Sequence, residues 1–226
     1  MRARNGNCTP GPRQISKGPD FQPGHAHADT LTLECSFAGQ RLIVDPGTHS
    51  YDADERRRYD RSTRAHNTVG VDGQDSSEVW HIFRVGRRAR PLGVKVETAA
   101  DRLAAAAGHD GYDHLPGRPR ACRELSVANQ GSLTVTDRIE GKGRHRLEGG
   151  FLLAPEWKAT AIAVGFELRS GSRRVRVRVA GPPELRLKEE RRPYHPEYGL
   201  ELETTRLCWS VDRELPVEVE TGFEGG

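Results

Sequence analysis

The segment "GHAHAD" places His25, His27 and Asp29 within five positions, and two later segments, "LIVDPGT" and "RAHNTV", add Asp45 and His66. Imidazole is the side chain that changes charge near neutral pH and is also the commonest metal ligand. Two imidazoles with a carboxylate suit Zn²⁺, which takes nitrogen and oxygen donors and often keeps a fourth position for water. Side chains at i and i+2 of an extended strand share a face, so His25 and His27 can point together into one cleft. Three readings stay open on the residues alone: a metal site drawing on both histidines, an acid/base pair, and hydrogen-bonded loop histidines in a chain that has nine.

The elements that must position these groups repeat with a period of two. "TLTLECSFA" (30–38), "RLIVD" (41–45), "NTVGVD" (67–72), "VKVET" (94–98), "SLTVTDRIE" (132–140), "RRVRVRVA" (173–180), "LELETTRLCWSV" (200–211) and "LPVEVET" (215–221) all read as strands, separated by Gly, Pro, Asn and Asp clusters. Helix signals are nearly absent, so the expected fold is all-β, an antiparallel β-sandwich. In "RVRVRV", Val175, Val177 and Val179 face one way and Arg174, Arg176 and Arg178 the other, as in a sheet with one wet side. Between Asp45 and His66 runs a turn-rich stretch, 46–65, of about 20 residues without a strand signal; such loops are functional or disordered, and this one can fold over the site. Residues 1–17, with few apolar side chains, read as a disordered or extended lead-in, and 18–226 as one domain.

Composition excludes several function classes. With 35 basic and 32 acidic residues the net charge of +3 is too small for a general nucleic-acid binder. No apolar run approaches a membrane span, and the N-terminal arginines are followed by no apolar stretch, so the chain as written shows no signal peptide. Cys8, Cys35, Cys122 and Cys208 are scattered, with no CxxC pair, which leaves a disulfide open and excludes a zinc ribbon. The sandwich core must come from Val, Leu, Ile and Ala, because aromatics make up only 6%.

The succession "PGHAHADTL", "LIVDPGT" and "RSTRAHNTVGVDGQDSSEVW" resembles the C-terminal β-sandwich domain of the heparinase II/III-like polysaccharide lyases, relatives of the oligo-alginate lyases. The similarity covers residues 18 to about 90 closely and the later strands in general character. It implies a supersandwich-like antiparallel β-sandwich without the α/α toroid that precedes it in full-length relatives. It also implies that His27, Asp45 and His66 bind Zn²⁺, while His25 and Tyr51 belong to the catalytic set; the resemblance thus divides two histidines that spacing alone leaves together. The implied zinc is mainly structural, pinning the long loop to the strands. The implied reaction is β-elimination at a uronic acid of an acidic polysaccharide, a glycosaminoglycan or an alginate, with the rest of the cleft supplied by an N-terminal toroid domain or a partner chain. Family members of this kind work in the cell envelope or periplasm. Two other functions compete: a zinc-dependent hydrolase, and a non-catalytic sandwich that binds acidic glycans.

The remaining candidates carry weaker expectations. Arg56, Arg57, Arg58, Arg61 and Arg64 surround Tyr51 in sequence and can bind an anionic sugar or keep the loop soluble, the latter for most of them. Tyr59 is expected to pack against the sandwich, Asn67 to satisfy backbone groups at a turn, and Trp80 and Trp157 to lie in the core. Tyr194 and Tyr198 read as rim residues, His109 and His114 have no assigned role, and "GVDGQDSSEVW" lacks the ligand spacing of a calcium loop.

Overall fold

A computed structural model describes residues 9–10, 23–128 and 131–226. Most of the 1–17 lead-in lies outside the described residues. In chain order the strands are β1 (Thr9–Pro10), β2 (Cys35–Phe37), β3 (Gln40–Ile43), β4 (Gly70–Val71), β5 (Val79–Trp80), β6 (Arg84–Val85), β7 (Pro91–Thr98), β8 (Arg102–His109) and β9 (Arg120–Ala128). They continue with β10 (Ser132–Glu140), β11 (Arg144–Leu152), β12 (Lys158–Ile162), β13 (Gly165–Ser170), β14 (Arg173–Ala180), β15 (Arg186–Tyr194), β16 (Leu202–Glu214) and β17 (Val217–Gly225).

An eight-stranded sheet in the order β12-β13-β14-β17-β10-β9-β8-β7 faces a four-stranded sheet, β15-β16-β11-β4, and the named strand pairs are antiparallel. The alternation read from "RVRVRV" is realised: Val175 and Val177 are buried and the intervening arginines exposed. Those valines join Leu133, Val135 and Phe223 of the large sheet with Phe151, Leu152 and Leu207 of the small one in one apolar cluster, which makes the fold a β-sandwich. Each large apolar side chain buried this way contributes about 1.5–3 kcal/mol. Trp157 lies in this core as expected, its indole N–H donating to the Arg41 carbonyl at 2.7 Å. Cys35 is disulfide-bonded, whereas Cys122 and Cys208 are free thiols.

The structure corrects several local expectations, and Tyr194, read as a rim residue, is buried in the core cluster. The 46–65 stretch contains a helix, α1 (Glu55–Arg61), started by Asp54, whose carboxylate accepts from the Arg57 amide at 2.9 Å, and followed by a 3₁₀ turn, Thr63–Ala65. Trp80 is 44% exposed, because it sits in a two-residue strand paired only with β6.

The large sheet also carries a buried charge pair. Arg123 and Asp137 lie directly opposite in the β9–β10 register and meet in two hydrogen bonds, 2.7 and 2.9 Å long, with both side chains only 3% exposed. The same guanidinium donates to the carbonyls of Leu31 and Asn67, so it leads from the sheet to the segments on either side of the candidate site.

Candidate functional site

The "GHAHAD" segment is a 3₁₀ turn, Pro23–His25, running into irregular backbone, not a strand. The i, i+2 argument for a shared face therefore does not apply, and the two imidazoles have different neighbours. His25 is exposed and meets Tyr51 edge-on at a ring separation of 5.3 Å. His27 is half-buried and packs against His66, ring to ring, at 5.3 Å.

His66 follows the 3₁₀ turn and is fully buried. Its Nδ1 lies 3.0 Å from Asp45 Oδ2, while Asp45 Oδ1 accepts from the Gly47 amide at 3.0 Å. Asn67 fastens this arrangement from behind. Its amide nitrogen donates to the carbonyls of Leu33 and Val44, both at 2.9 Å, and its side-chain oxygen accepts from the Leu152 amide at 2.7 Å. Asn67 thus satisfies backbone groups, as expected, and ties the His66 segment to the chain carrying Asp45. Arg206 adds a clamp from β16, donating to the His66 carbonyl at 2.7 Å.

Electrostatics separate the three groups. Burial, reinforced by positive charge at His66, Arg57 and Arg61, holds the His27 pKa down at about 3, so its ring is neutral near pH 7. Burial alone would raise the Asp45 pKa, but His66 and the Gly47 amide outweigh it and bring it to about 2. Burial likewise opposes charging of His66, and the Asp45 carboxylate overcomes it, raising that pKa. His66 Nε2 is buried without a hydrogen-bond partner among the described residues, an arrangement costly enough to need a reason.

This donor set has the chemistry zinc requires: a neutral imidazole, a carboxylate held ionised, and an orphaned imidazole nitrogen. As placed, the groups pair with each other and with arginine. Asp45 holds His66, and Arg57 Nη1 stands 3.3 Å from His27 Nε2. Among the described residues no three His, Cys, Asp or Glu side chains converge at ligand spacing.

The arginines depart most from expectation. Arg56, Arg58 and Arg64 are exposed, as solubilising residues should be, but Arg57 and Arg61 are each 1% exposed. Arg61 donates to the carbonyls of Ala26, Trp80, His81 and Arg84, and Arg57 to that of Ile82, so the pair stitches the "GHAHAD" segment, α1 and the β5–β6 hairpin together. Neither meets a carboxylate at salt-bridge distance among the described residues. Burial, and then the neighbouring Arg57, lowers the Arg61 pKa to about 10. The Arg57 guanidinium carbon also lies 5.1 Å from the centre of the Tyr51 ring. Tyr59 packs as expected, mostly buried beneath Arg64, and burial raises its pKa.

Sequence reasoning missed a second imidazole cluster. His195, after β15, is buried with Nδ1 2.9 Å from Asp60 Oδ1 of α1 and Nε2 3.2 Å from Glu201 Oε2. His49 packs edge-on against it at 5.1 Å, and the His49 amide donates to Asp60 Oδ2 at 2.9 Å. The backbones touch at Gly47 and His195, where a β-carbon on Gly47, already at φ +79°, would overlap the His195 carbonyl. The signal lay in "DPGT", a glycine where the chain needs a left-handed turn and close approach.

Fold and site together define a β-sandwich domain with a polar site built on loops at one end. Residues 13–221 match the family model described as heparinase II/III-like, C-terminal, and the chain belongs to that family. No protein of curated function matches the sequence. Among solved structures, the heparan sulfate lyase HepC from Pedobacter heparinus is similar at 20% identity over 93% of this chain and 32% of that one, with a TM-score of 0.73. A heparinase III is similar at 16% identity, over 94% of this chain and 32% of that one, with a TM-score of 0.75. This chain therefore spans about a third of the length of these neighbours. Among the described residues no helix is long and apolar enough to cross a membrane.

Proposed function

We propose that this chain is the sandwich part of a polysaccharide lyase that cleaves an acidic polysaccharide, a glycosaminoglycan or alginate, by β-elimination in the cell envelope or periplasm. The observation that carries the reading is the exposed His25–Tyr51 pair resting on the buried Arg57 cation. Elimination removes the C5 proton of a uronic acid, breaks the bond from C4 to the departing oxygen and leaves a C4–C5 double bond. Charge builds on the C6 carboxylate as the proton leaves, and fixed positive charge in a partly dry site stabilises it. Arg57 and Arg61 provide that charge without a competing carboxylate close by. His25 and Tyr51 are the groups placed to exchange protons with the sugar. The α/α toroid that the family resemblance implies, as a further domain or a partner chain, would complete the cleft.

His27, Asp45 and His66 would hold Zn²⁺. Bound there, the ion would join the "GHAHAD" segment to both ends of the long loop and add its binding energy to folding. His27 stays neutral as a ligand must, and zinc would take up the orphaned His66 nitrogen.

The experiment supplies heparosan and alginate to the chain, alone and with a separately expressed helical N-terminal part of a heparinase III, and examines the cleaved ends. Ultraviolet-absorbing unsaturated ends that disappear in His25→Ala and Tyr51→Phe are expected. Cleavage yielding saturated ends would overturn elimination in favour of hydrolysis. Binding without cleavage in both mixtures, unaffected by His25→Ala, would leave a glycan-binding sandwich.

A further inference from the structure

Beyond His25 and Tyr51, the site end of the molecule exposes two more aromatic rings in contact with them. Phe83 lies 5.5 Å from both His25 and Tyr51, and Tyr198 lies 5.7 Å from Tyr51. Exposure rises outward, 40% for Tyr51, 46% for Phe83 and 68% for Tyr198, so the four rings form one open face and not the edge of the core. Contiguous exposed rings of this kind mark a binding surface.

Two observations indicate what sits on it. Tyr51 of this face rests against Arg57, which like neighbouring Arg61 is a buried cation with no carboxylate at salt-bridge distance among the described residues, and this favours an anionic occupant. The turn that carries the outermost ring is also held in place. Tyr198 belongs to the turn between β15 and β16, where His195 is held between Asp60 and Glu201, Arg56 grips Glu201 at 2.9 Å, and the Gly199 amide donates to the His49 carbonyl at 2.7 Å. A turn held this way loses little backbone freedom on binding, which favours a preorganised contact.

We propose that Phe83 and Tyr198 are substrate-contacting residues that extend the His25–Tyr51 face into a stacking platform for a pyranose ring of the acidic polysaccharide, with His195 as the residue that positions Tyr198. The inference rests on the reading of His25 and Tyr51 as groups that face the sugar. It assigns to this sandwich a share of specificity, the choice of which sugar rests beside the cleaved bond.

The test is calorimetric titration of the chain with a heparosan hexasaccharide, with neutral cellohexaose as control. Wild type is expected to bind the acidic sugar and not the neutral one. Tyr198→Ala and Phe83→Ala are each expected to weaken binding about tenfold, and Tyr198→Phe to restore it because stacking needs only the ring. Both positions are exposed, and unchanged thermal unfolding verifies the fold. His195→Gln should weaken binding in the wild-type background but add little to Tyr198→Ala, a non-additivity that a general loss of stability would not produce. Full-strength binding in both alanine variants, with His25→Ala or Tyr51→Ala abolishing it, would overturn the platform and leave the reading of His25 and Tyr51 standing. Absence of hexasaccharide binding by wild type would overturn both. Self-association in sedimentation that Tyr198→Ala removes, without sugar binding, would make the face a protein contact and equally overturn the proposal.

Discussion

Two imidazole clusters hold the loop from Asp45 to His66, and they differ in the charge that each ring meets. In one, Asp45 is hydrogen-bonded to His66, Asp29 adds negative charge near it, and Arg57 and Arg61 press positive charge on His27. In the other, both ring nitrogens of His195 face carboxylate oxygens, from Asp60 and Glu201. The first arrangement sets arginines against a neutral ring; the second sets carboxylates on both sides of His195 and so ties two loops together, with His49 Nδ1 left buried and without a hydrogen-bond partner among the described residues. Residue types alone would not separate them, since each combines two histidines with acidic groups. The charge count around each ring does.

The most damaging change to this contrast is at Arg123, which supports the open cluster from the sheet. Arg123→Ala leaves Asp137 buried without its partner and frees the carbonyls of Leu31 and Asn67. A loss of about 3–5 kcal/mol in urea unfolding is expected, and retention of wild-type stability would show that the pair is not holding the site. Zinc content then separates the clusters directly. Plasma emission analysis of the purified chain should find zinc near one per molecule in wild type and in His195→Gln, and almost none in His27→Ala. Equal loss in both variants would erase the distinction.

Acid should move the two clusters in opposite directions. At the proposed ion site zinc would compete with protons for His66, whose pKa is raised by Asp45 despite burial, so zinc affinity should fall as pH drops from 7 to 5. The His195 pKa is also raised, with burial opposing and Asp60 and Glu201 prevailing. A raised value contributes stability that is complete below the unfolded pKa near 6.5 and fades as pH climbs through the folded one. The difference in unfolding free energy between wild type and His195→Gln should therefore shrink as pH rises. A constant difference would mean that His195 holds its loops by packing and not by charge. The smallest effect is expected at Arg56→Ala, which removes an exposed pair with Glu201 and should cost less than about 1 kcal/mol.

What the sequence disclosed follows from where contrast exists in it. Strand β14 was legible because valine alternates with arginine, and β10 because Leu133, Val135 and Ile139 alternate with polar residues. Strand β8, "RLAAAAGH", was missed because a run of alanines has no second phase to read. Helix α1 was missed because two of its three buried residues are arginines, so a burial pattern looks like a charge run; the signals that survived were Asp54 and Glu55 at its start and Arg58 and Arg61 at its end. At the site, the ordered motifs identified His25, His27, Asp45 and His66, and the structure brings His66 to both Asp45 and His27. Burial of Arg57 and Arg61 had no signature in a loop full of arginine. Nor did the meeting of His49 with His195, which depends on how β15 returns across the domain.

Gly47 stands two residues after Asp45 and two before His49, where the chain passes from one cluster to the other against the His195 backbone. A single methyl group at that point would act as a wedge, prying the β15–β16 turn, and His195 with it, from the loop while changing the identity of no histidine or carboxylate. Position 47 is thus the hinge pin on which the proposed ion site and the turn proposed to face the sugar are mounted together, and Gly47→Ala is the smallest lesion that would let each drift without the other.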